Sequence, residues 1–312
     1  MNAPTSDSVH RSSFIVHPSL LVIRLSALGD VIHTIPAVVA LRDRYDIDWV
    51  VEEPYRQLVA MVARVRDVPV SLKRWSPVQI RRARRSVRGH DIAVDFQGLI
   101  KSALLARASG ARDRYGFAAE FIREKPAAWL VNRRVTIDPT KHVVEWNLQL
   151  ARALEPSLQL PRVDFSVFAS PTAAERRIVL IPGAGRRDKQ WPVQRFRQLA
   201  GAIGKETLVA WGPGERSQAE AVGSELAPPT DLRELARLLR DARLVIAGDT
   251  GPLHLAAALG TPVVGLYGPT NPRRNGPYGQ IENCVETFST SRSMTEIAVD
   301  RVVRKVEEVL SR

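Results

Sequence analysis

Leu20-Leu-Val-Ile-Arg-Leu25, then Ser26-Ala-Leu-Gly-Asp30, then Val31, Ile35, Val38, Val39 and Leu41 form the stretch that decides the fold. The first six residues make an apolar run of the kind buried on both faces of a parallel sheet. Ser26–Asp30 breaks that run with a glycine. The apolar residues after it recur at helical spacing. Strand, glycine turn, helix is the opening unit of an α/β sheet. Pro36 is expected in the early part of the helix, where a proline is tolerated.

The rhythm continues outward from there. Strands are expected at Ile47–Val51 and Ile92–Phe96, with a weaker one near Val68–Leu72. Gln97-Gly-Leu-Ile-Lys101 opens a helix through Arg107. Prolines 156, 161 and 171, with little periodicity between them, mark a linker placed at 161–171. The α/β pattern then restarts, with strands at Ile178–Ile181, Thr207–Trp211, Leu244–Ala247 and Val263–Tyr267. A glycine closely follows each of these strands. In a doubly wound sheet the carboxyl ends of the strands border the ligand crevice, so these loops should share one rim. Glu296–Leu310 reads as a closing amphipathic helix. The expected architecture is two Rossmann-like halves, residues 20–160 and 172–312, facing each other across a cleft. The first nineteen residues are polar and mixed, without the apolar core of a signal peptide, and are read as a disordered tail.

Composition narrows the function. The chain has 312 residues, 45% hydrophobic and 25% charged, which suits a two-domain globular enzyme. No run approaches the apolar length of a membrane span. A single cysteine, Cys284, excludes an internal disulfide and a multi-cysteine zinc site, and is expected to be a packed thiol. The six histidines (10, 17, 33, 90, 142 and 254) show no metal-ligand spacing. The net charge of +12 is unevenly placed: Lys73–Arg134 holds 15 Lys or Arg against 5 Asp or Glu. Such a block suits an anionic partner, although Arg81, Arg82, Arg84, Arg85 and Arg88 could equally form a solvated helix face. No nucleic-acid motif accompanies it, so a nucleic-acid partner is not expected.

Four motifs could carry chemistry. Gly248-Asp-Thr-Gly-Pro-Leu-His254 lies between a strand and a helix expected at Leu255–Leu259. Either the helix N-terminus binds an anion such as a pyrophosphate beside Thr250 and Gly251, or Asp249 or Thr250 simply caps it. Arg186-Arg-Asp-Lys-Gln-Trp-Pro192 follows Gly183-Ala-Gly185, and Lys189 could set a cation on a leaving diphosphate. It lacks the Gly-Lys-Ser/Thr of a P-loop and a full G-x-G-x-x-G, so neither a Walker site nor a nicotinamide cofactor is expected. Glu215, in Trp211-Gly-Pro-Gly-Glu215, could accept hydrogen bonds from ribose hydroxyls or balance a helix N-terminus. Asp30 could act as a general base at the cleft or be an ordinary helix-terminal aspartate. Asp46-Ile-Asp48 matches the metal-binding Asp-x-Asp of many glycosyltransferases. It precedes a strand, however, and is read as a surface turn on the wrong rim.

Taken in order, several stretches resemble the lipopolysaccharide heptosyltransferases, the family-9 glycosyltransferases of the GT-B fold. They are Ser26–Pro36, Asp48-Trp-Val-Val-Glu-Glu53, Asp95–Ser102, Asp188-Lys-Gln-Trp-Pro192, Asp249-Thr-Gly-Pro-Leu-His254 and Tyr267-Gly-Pro-Thr270. The likeness runs from Leu20 to the C-terminus and is greatest to the type that adds the first heptose to Kdo. It implies inverting transfer from ADP-L-glycero-D-manno-heptose without metal or cofactor, by a monomer at the cytoplasmic face of the inner membrane. Asp30 would be the general base. Lys189, Gly185, Asp249, Thr250, Gly251 and His254 would hold the ADP diphosphate, and Glu215 the ribose. Arg74, Gln97, Lys101 and Arg123 would meet an anionic Kdo-lipid A acceptor. Two departures bear on that acceptor: Trp146 stands where the family has an arginine, and Ser76 near another basic position. A different donor or acceptor, and a non-catalytic nucleotide- or carbohydrate-binding protein, are the competing readings.

Overall fold

The computed structural model describes residues 17–71, 77–158, 177–204 and 206–312. In chain order the first half has β1 (Ser19–Ile23), α1 (Leu28–Leu41), β2 (Asp46–Glu52), α2 (Arg56–Val59), β3 (Val65–Val70), α3 (Pro77–Ser86), β4 (Ile92–Asp95), α4 (Ile100–Ala108), β5 (Asp113–Phe117), β6 (Arg133–Val135) and α5 (Val143–Leu154). The second half has β7 (Ile178–Ile181), α6 (Val193–Ile203), β8 (Thr207–Val209), α7 (Arg216–Glu220), β9 (Glu225–Leu226), α8 (Leu232–Asp241), β10 (Leu244–Gly248), α9 (Gly251–Ala258), β11 (Val263–Tyr267), α10 (Pro272–Asn275), β12 (Cys284–Glu286) and α11 (Val299–Leu310).

Each half is built on one six-stranded sheet. The strand orders are β3-β2-β1-β4-β5-β6 and β12-β11-β10-β7-β8-β9, with every pairing parallel. Numbered within its own half, the second sheet has the same order as the first, 3-2-1-4-5-6. In this topology the strand order reverses beside the first strand, and ligands bind outside the carboxyl ends of the strands at that point. The reversal lies between β1 and β4 in one half and between β7 and β10 in the other. Both sheets alternate their buried side chains between two layers. Leu20 and Val22 of β1 join one apolar cluster and Leu21 and Ile23 another. Val179 and Ile181 of β7 likewise separate from Ile178 and Leu180. This is the burial on both faces that the continuous apolar runs predicted.

The halves meet along α1 and α9, and one apolar cluster runs through both. Two glycines make this approach possible. A Cβ on Gly251 would sit 2.6 Å from three carbons of Leu28, and one on Gly29 would sit 2.8 Å from the His254 ring. Further out, His142 bonds the Gly276 carbonyl at 3.0 Å and the Tyr278 hydroxyl donates to Glu145. The Gln57 amide donates to Asp231 at 3.2 Å, and Leu232 N–H donates back to Gln57 at 3.1 Å.

Several expectations need correction. Pro36 is the ninth of the 14 residues of α1, not an early one, because the helix starts at Leu28, a turn before the apolar periodicity becomes visible. Helix α9 starts at Gly251 rather than Leu255, which puts His254 in its first turn. Asp46-Ile-Asp48 is not a surface turn: it forms the amino end of β2, and Asp48 is buried against Arg66 and His90. The expected tail ends sooner, since Ser19 opens β1 and donates twice to Asp91. The rest of the tail up to residue 16, and the linker at 161–171, lie outside the described residues. Cys284 opens β12, where burial pushes its thiol well above its ordinary value.

Candidate active site

The turns after β1, β7, β8 and β10 enclose a cavity of ≈ 1090 Å³ between the halves. Ala27, Leu28, Gly29 and Glu53–Gln57 line it from the first half. Gly183–Arg186, Lys189, Trp211–Pro213, Glu215 and Asp249–Pro252 line it from the second. Gly185, Lys189, Glu215, Asp249, Thr250 and Gly251, drawn from three separate motifs, are thus brought to one wall.

The floor of that wall is a three-residue charge network. Lys189 Nζ lies 2.6 Å from one oxygen of Asp249, and His254 Nε2 lies 3.1 Å from the other. Burial pushes the Asp249 carboxyl up. The hydrogen bond and charge of His254 and the ammonium of Lys189 outweigh burial and hold it well below the usual carboxylate range. Asp249 is therefore occupied and does not cap α9. Thr250 is the N-cap residue, yet its side chain makes no capping bond and its buried Oγ1 has no partner among the described residues. Capping thus leaves the free N–H groups of α9 facing the cavity beside Lys189. A helix N-terminus with unused donors beside a lysine has the chemistry to take an anion. His254 stands behind this wall rather than lining the cavity.

Glu215 also departs from a simple capping role. It is the N-cap of α7 without a capping bond, and its Oε2 accepts the Gly212 N–H at 2.9 Å. The carboxylate lies over Gly183, within 2.3 Å of where a Cβ would stand there, so a side chain at 183 would displace it. Its Oε1 is left to accept from a ligand. Asp188 instead pairs with Arg186 at the surface.

On the opposite wall, Asp30 is in the first turn of α1, next to cavity-lining Gly29 but not itself among the lining residues. Its Oδ1 is 2.7 Å from Arg24 Nη2, its Oδ2 accepts the Ala27 N–H at 3.3 Å, and its side chain is 38% exposed. The helix-terminal role is therefore partly real, but a second residue holds the carboxylate from behind. Arg24 is buried, and its other terminal nitrogen donates to the Phe96 carbonyl. The Tyr55 phenol on the cavity wall is pushed up by burial, then by Glu52 and then by Asp30.

The acceptor-side candidates among the described residues have varied commitments. Gln97 Oε1 accepts the N–H groups of Leu25 at 2.9 Å and Ser26 at 3.3 Å, gripping the loop that leads to Asp30. Asp95 braces this turn by accepting from Gln97 N–H, Gly98 N–H and the Ser102 hydroxyl. Burial raises its carboxyl to about 6 against those bonds and the charge of Arg24. Lys101 Nζ is paired with Glu52 at 3.0 Å. Arg123 is exposed, between Ile122, which packs on Gly98, and Glu124, which accepts the Ile100 N–H. Arg74 and Ser76 lie outside the described residues. Over Trp146, the departure noted above, lies a cation from the other half: the Arg274 guanidinium is 4.7 Å from the indole.

Sequence reasoning missed Arg24, His33 and Tyr55. Arg24 carried a signal: it is the one charged residue inside the apolar run 20–25. His33 carried none. It is fully buried between His254 (rings 4.5 Å apart) and His142 (5.4 Å). Burial first, then His254, His142 and Arg24, lower it well below the usual imidazole value, so it packs as a neutral ring. Among the described residues no three His, Cys, Asp or Glu side chains converge to hold a metal. No helix among them is long and apolar enough to cross a membrane.

Comparison with known proteins bears on this geometry. The profile described as Glycosyltransferase family 9 (heptosyltransferase) matches residues 80–299. The chain is 31% identical over 318 residues to lipopolysaccharide heptosyltransferase 1 of Escherichia coli O18:K1:H7, covering 93% of this chain and 97% of that protein. Among solved structures, E. coli heptosyltransferase WaaC with ADP superimposes with a TM-score of 0.81 at 29% identity, covering 93% of this chain and 99% of that one. WaaC with ADP-2-deoxy-2-fluoro heptose gives a TM-score of 0.80 at the same identity and coverage.

Proposed function

The chain belongs to glycosyltransferase family 9 and has the GT-B fold, and from that premise we propose that it moves heptose from ADP-L-glycero-D-manno-heptose onto the Kdo of the lipopolysaccharide inner core, with inversion and without a metal. The reading divides the work between residues 20–160, which take the acceptor, and residues 172–312, which hold the nucleotide sugar.

The supporting observation is that the turn bearing Asp30 and the cradle of Lys189, Thr250 and Gly251 face one cavity, with Gly29 against His254. In this reading the diphosphate lies at the N-terminus of α9, where backbone N–H groups and Lys189 neutralise the charge that builds on it as the sugar leaves. Preorganised electrostatics of this kind usually provide the largest catalytic term. Asp249 and His254 keep Lys189 in place. Glu215 accepts from the ribose with its remaining oxygen, over Gly183 and close to Gly185.

Asp30, steadied by Arg24, takes the proton of the acceptor hydroxyl as its oxygen attacks the anomeric carbon. One base on the acceptor side and a leaving-group cradle on the other suit a single in-line displacement, which inverts the centre. The cations that offset the leaving charge come from the protein, so no metal is needed. Arg74, Lys101 and Arg123, with the amide NH2 of Gln97, would meet acceptor carboxylates and phosphates at the cytoplasmic face of the inner membrane. A monomer suffices, since both walls come from one chain. The test is ADP release from ADP-heptose with and without a Kdo-lipid A acceptor. Acceptor-dependent release is expected; its absence across several donors and acceptors would end this reading.

A further inference from the structure

Helix α3 carries four arginines and no acid; α4 carries Lys101 and Arg107 and no acid. Their inner sides, including Ala83, Leu105 and Ala106, pack under the first sheet. Their outer sides are unlike an ordinary solvated surface in two respects. First, the large hydrophobic residues exposed among the described residues are Val78 (76%), Ile100 (41%), Leu104 (42%) and Trp129 (75%). All four lie on α3, α4 and the turn Lys125–Trp129 that packs on α4. Second, Arg81, Arg82, Arg84, Arg85, Arg88 and Arg107 are exposed and form no ion pair among the described residues. Between α3 and α4 runs a groove of ≈ 630 Å³ lined by Ile80, Arg84, Lys101, Leu104 and Arg107.

An apolar cluster rimmed by unpaired cations is complementary to one kind of surface. Lipid headgroups of an anionic leaflet attract arginines, and the region just beneath them takes tryptophan and short apolar side chains. A phosphate backbone would use the arginines but leave Val78, Ile100 and Leu104 in water. A protein partner would need an acidic face of matching shape, which nothing here specifies. We propose that the face formed by α3, α4 and the Lys125–Trp129 turn docks on an anionic lipid bilayer. The inference deepens the proposed function and rests on it for the choice of a membrane. Lys101 belongs to both surfaces, lining this groove and pairing with Glu52 next to Glu53–Tyr55 of the cleft. Docking there sets the acceptor side of the cleft at the lipid surface, so a lipid-linked sugar need not leave the bilayer to reach Asp30.

The test is sedimentation of the full chain with vesicles that contain no acceptor. One set is phosphatidylcholine alone; the other holds about 30% phosphatidylglycerol, enough to give the leaflet a negative surface potential. Binding to the anionic set is expected to be at least about tenfold tighter and to weaken with salt. Arg82→Glu with Arg85→Glu should reduce it by about tenfold or more, since each cation near such a leaflet contributes about a factor of five. Trp129→Ser with Leu104→Ser should weaken the part of the binding that survives high salt. Both pairs lie on the surface, so melting temperature, ADP affinity and turnover of a detergent-dispersed acceptor should stay as in the parent. Equal binding to both vesicle types, or unchanged binding by both variants, overturns the proposal. So does a result in which the arginine pair weakens DNA binding while the Trp129 and Leu104 pair leaves vesicle binding intact. Failure of the parent chain itself to bind the anionic vesicles, with its turnover intact, rejects this surface alone; vesicle binding by the parent with no turnover on any acceptor rejects the enzymatic reading alone.

Discussion

Replacing Arg24 with methionine tests how the proposed base is held. The guanidinium makes two contacts: 2.7 Å to Asp30 Oδ1, and one to the Phe96 carbonyl. The Asp30 side chain is 38% exposed, so water can replace its lost partner, and that contact is worth only about 0–1 kcal/mol. The Phe96 contact is a charge-assisted bond to a buried carbonyl, and losing it costs about 1.5–3 kcal/mol. Methionine keeps most of the side-chain volume and removes the buried, unpartnered Nε of Arg24, which returns part of the loss. Net destabilisation should be about 1–3 kcal/mol, and the variant should fold. The effect on rate should be larger in proportion. Without Nη2, the Asp30 carboxylate can leave its rotamer, and misplacement of a reacting group by about 1 Å costs on the order of 100-fold. Arg24 does not line the donor cavity, so ADP affinity should hold within about twofold. The assay is acceptor-dependent ADP release beside calorimetric ADP binding and a thermal melt. A folded Arg24→Met enzyme turning over like the parent would refute the reasoning, as would Arg24→Lys giving no recovery over Met.

Lys189→Ala should weaken ADP binding by about 10- to 100-fold in titration calorimetry, the worth of one charge-assisted phosphate contact, and unchanged affinity would remove Lys189 from the diphosphate site. Gly251→Ala should lower stability by about 1–3 kcal/mol, because its Cβ would crowd Leu28 across the interface, and Leu28→Ala should recover part of that loss in the double variant. Asp48 should contribute to acid stability. Burial raises its carboxyl, but His90 and Arg66 outweigh burial and bring it to about 2. A lowered folded value means that this stability is present above the ordinary aspartate value of about 3.8 and is lost as pH falls from there toward 2. Asp48→Asn should therefore cost on the order of 1–2 kcal/mol at neutral pH and flatten the melting-temperature profile between about pH 4 and 2; a parallel shift at all pH values would contradict that assignment.

Much of the fold was legible because runs such as Leu20–Leu25, Ile178–Ile181 and Leu244–Ala247 are buried on both faces, and continuous apolar strands announce a parallel sheet. The convergence of Lys189 with Asp249–Gly251 on one cavity was legible for a related reason: in a doubly wound sheet, the loops after β7 and β10 must share the crevice. What the sequence could not show is where spare bonding capacity goes. Gln97 looked like a ligand group, yet it spends its oxygen on Leu25 and Ser26. Asp249 could have capped α9, yet Lys189 and His254 claim it. Asp48 looked like part of a turn because two aspartates rarely open a strand, and only its partners Arg66 and His90, 18 and 42 residues away, make that burial tolerable. The partners Leu25 and Ser26, Lys189, Arg66 and His90 are all distant in the chain, and local spacing carries no trace of them. The place of Pro36 within α1 was misread for a simpler reason: Leu28–Asp30 form a helical turn without showing apolar periodicity.

The most direct test of the account is turnover by Asp30→Ala set beside its ADP affinity. A base acting from the acceptor wall predicts a loss of about 100-fold or more in acceptor-dependent ADP release with ADP affinity unchanged, since the cradle belongs to the other half. Near-parental turnover by a folded Asp30→Ala chain would contradict it.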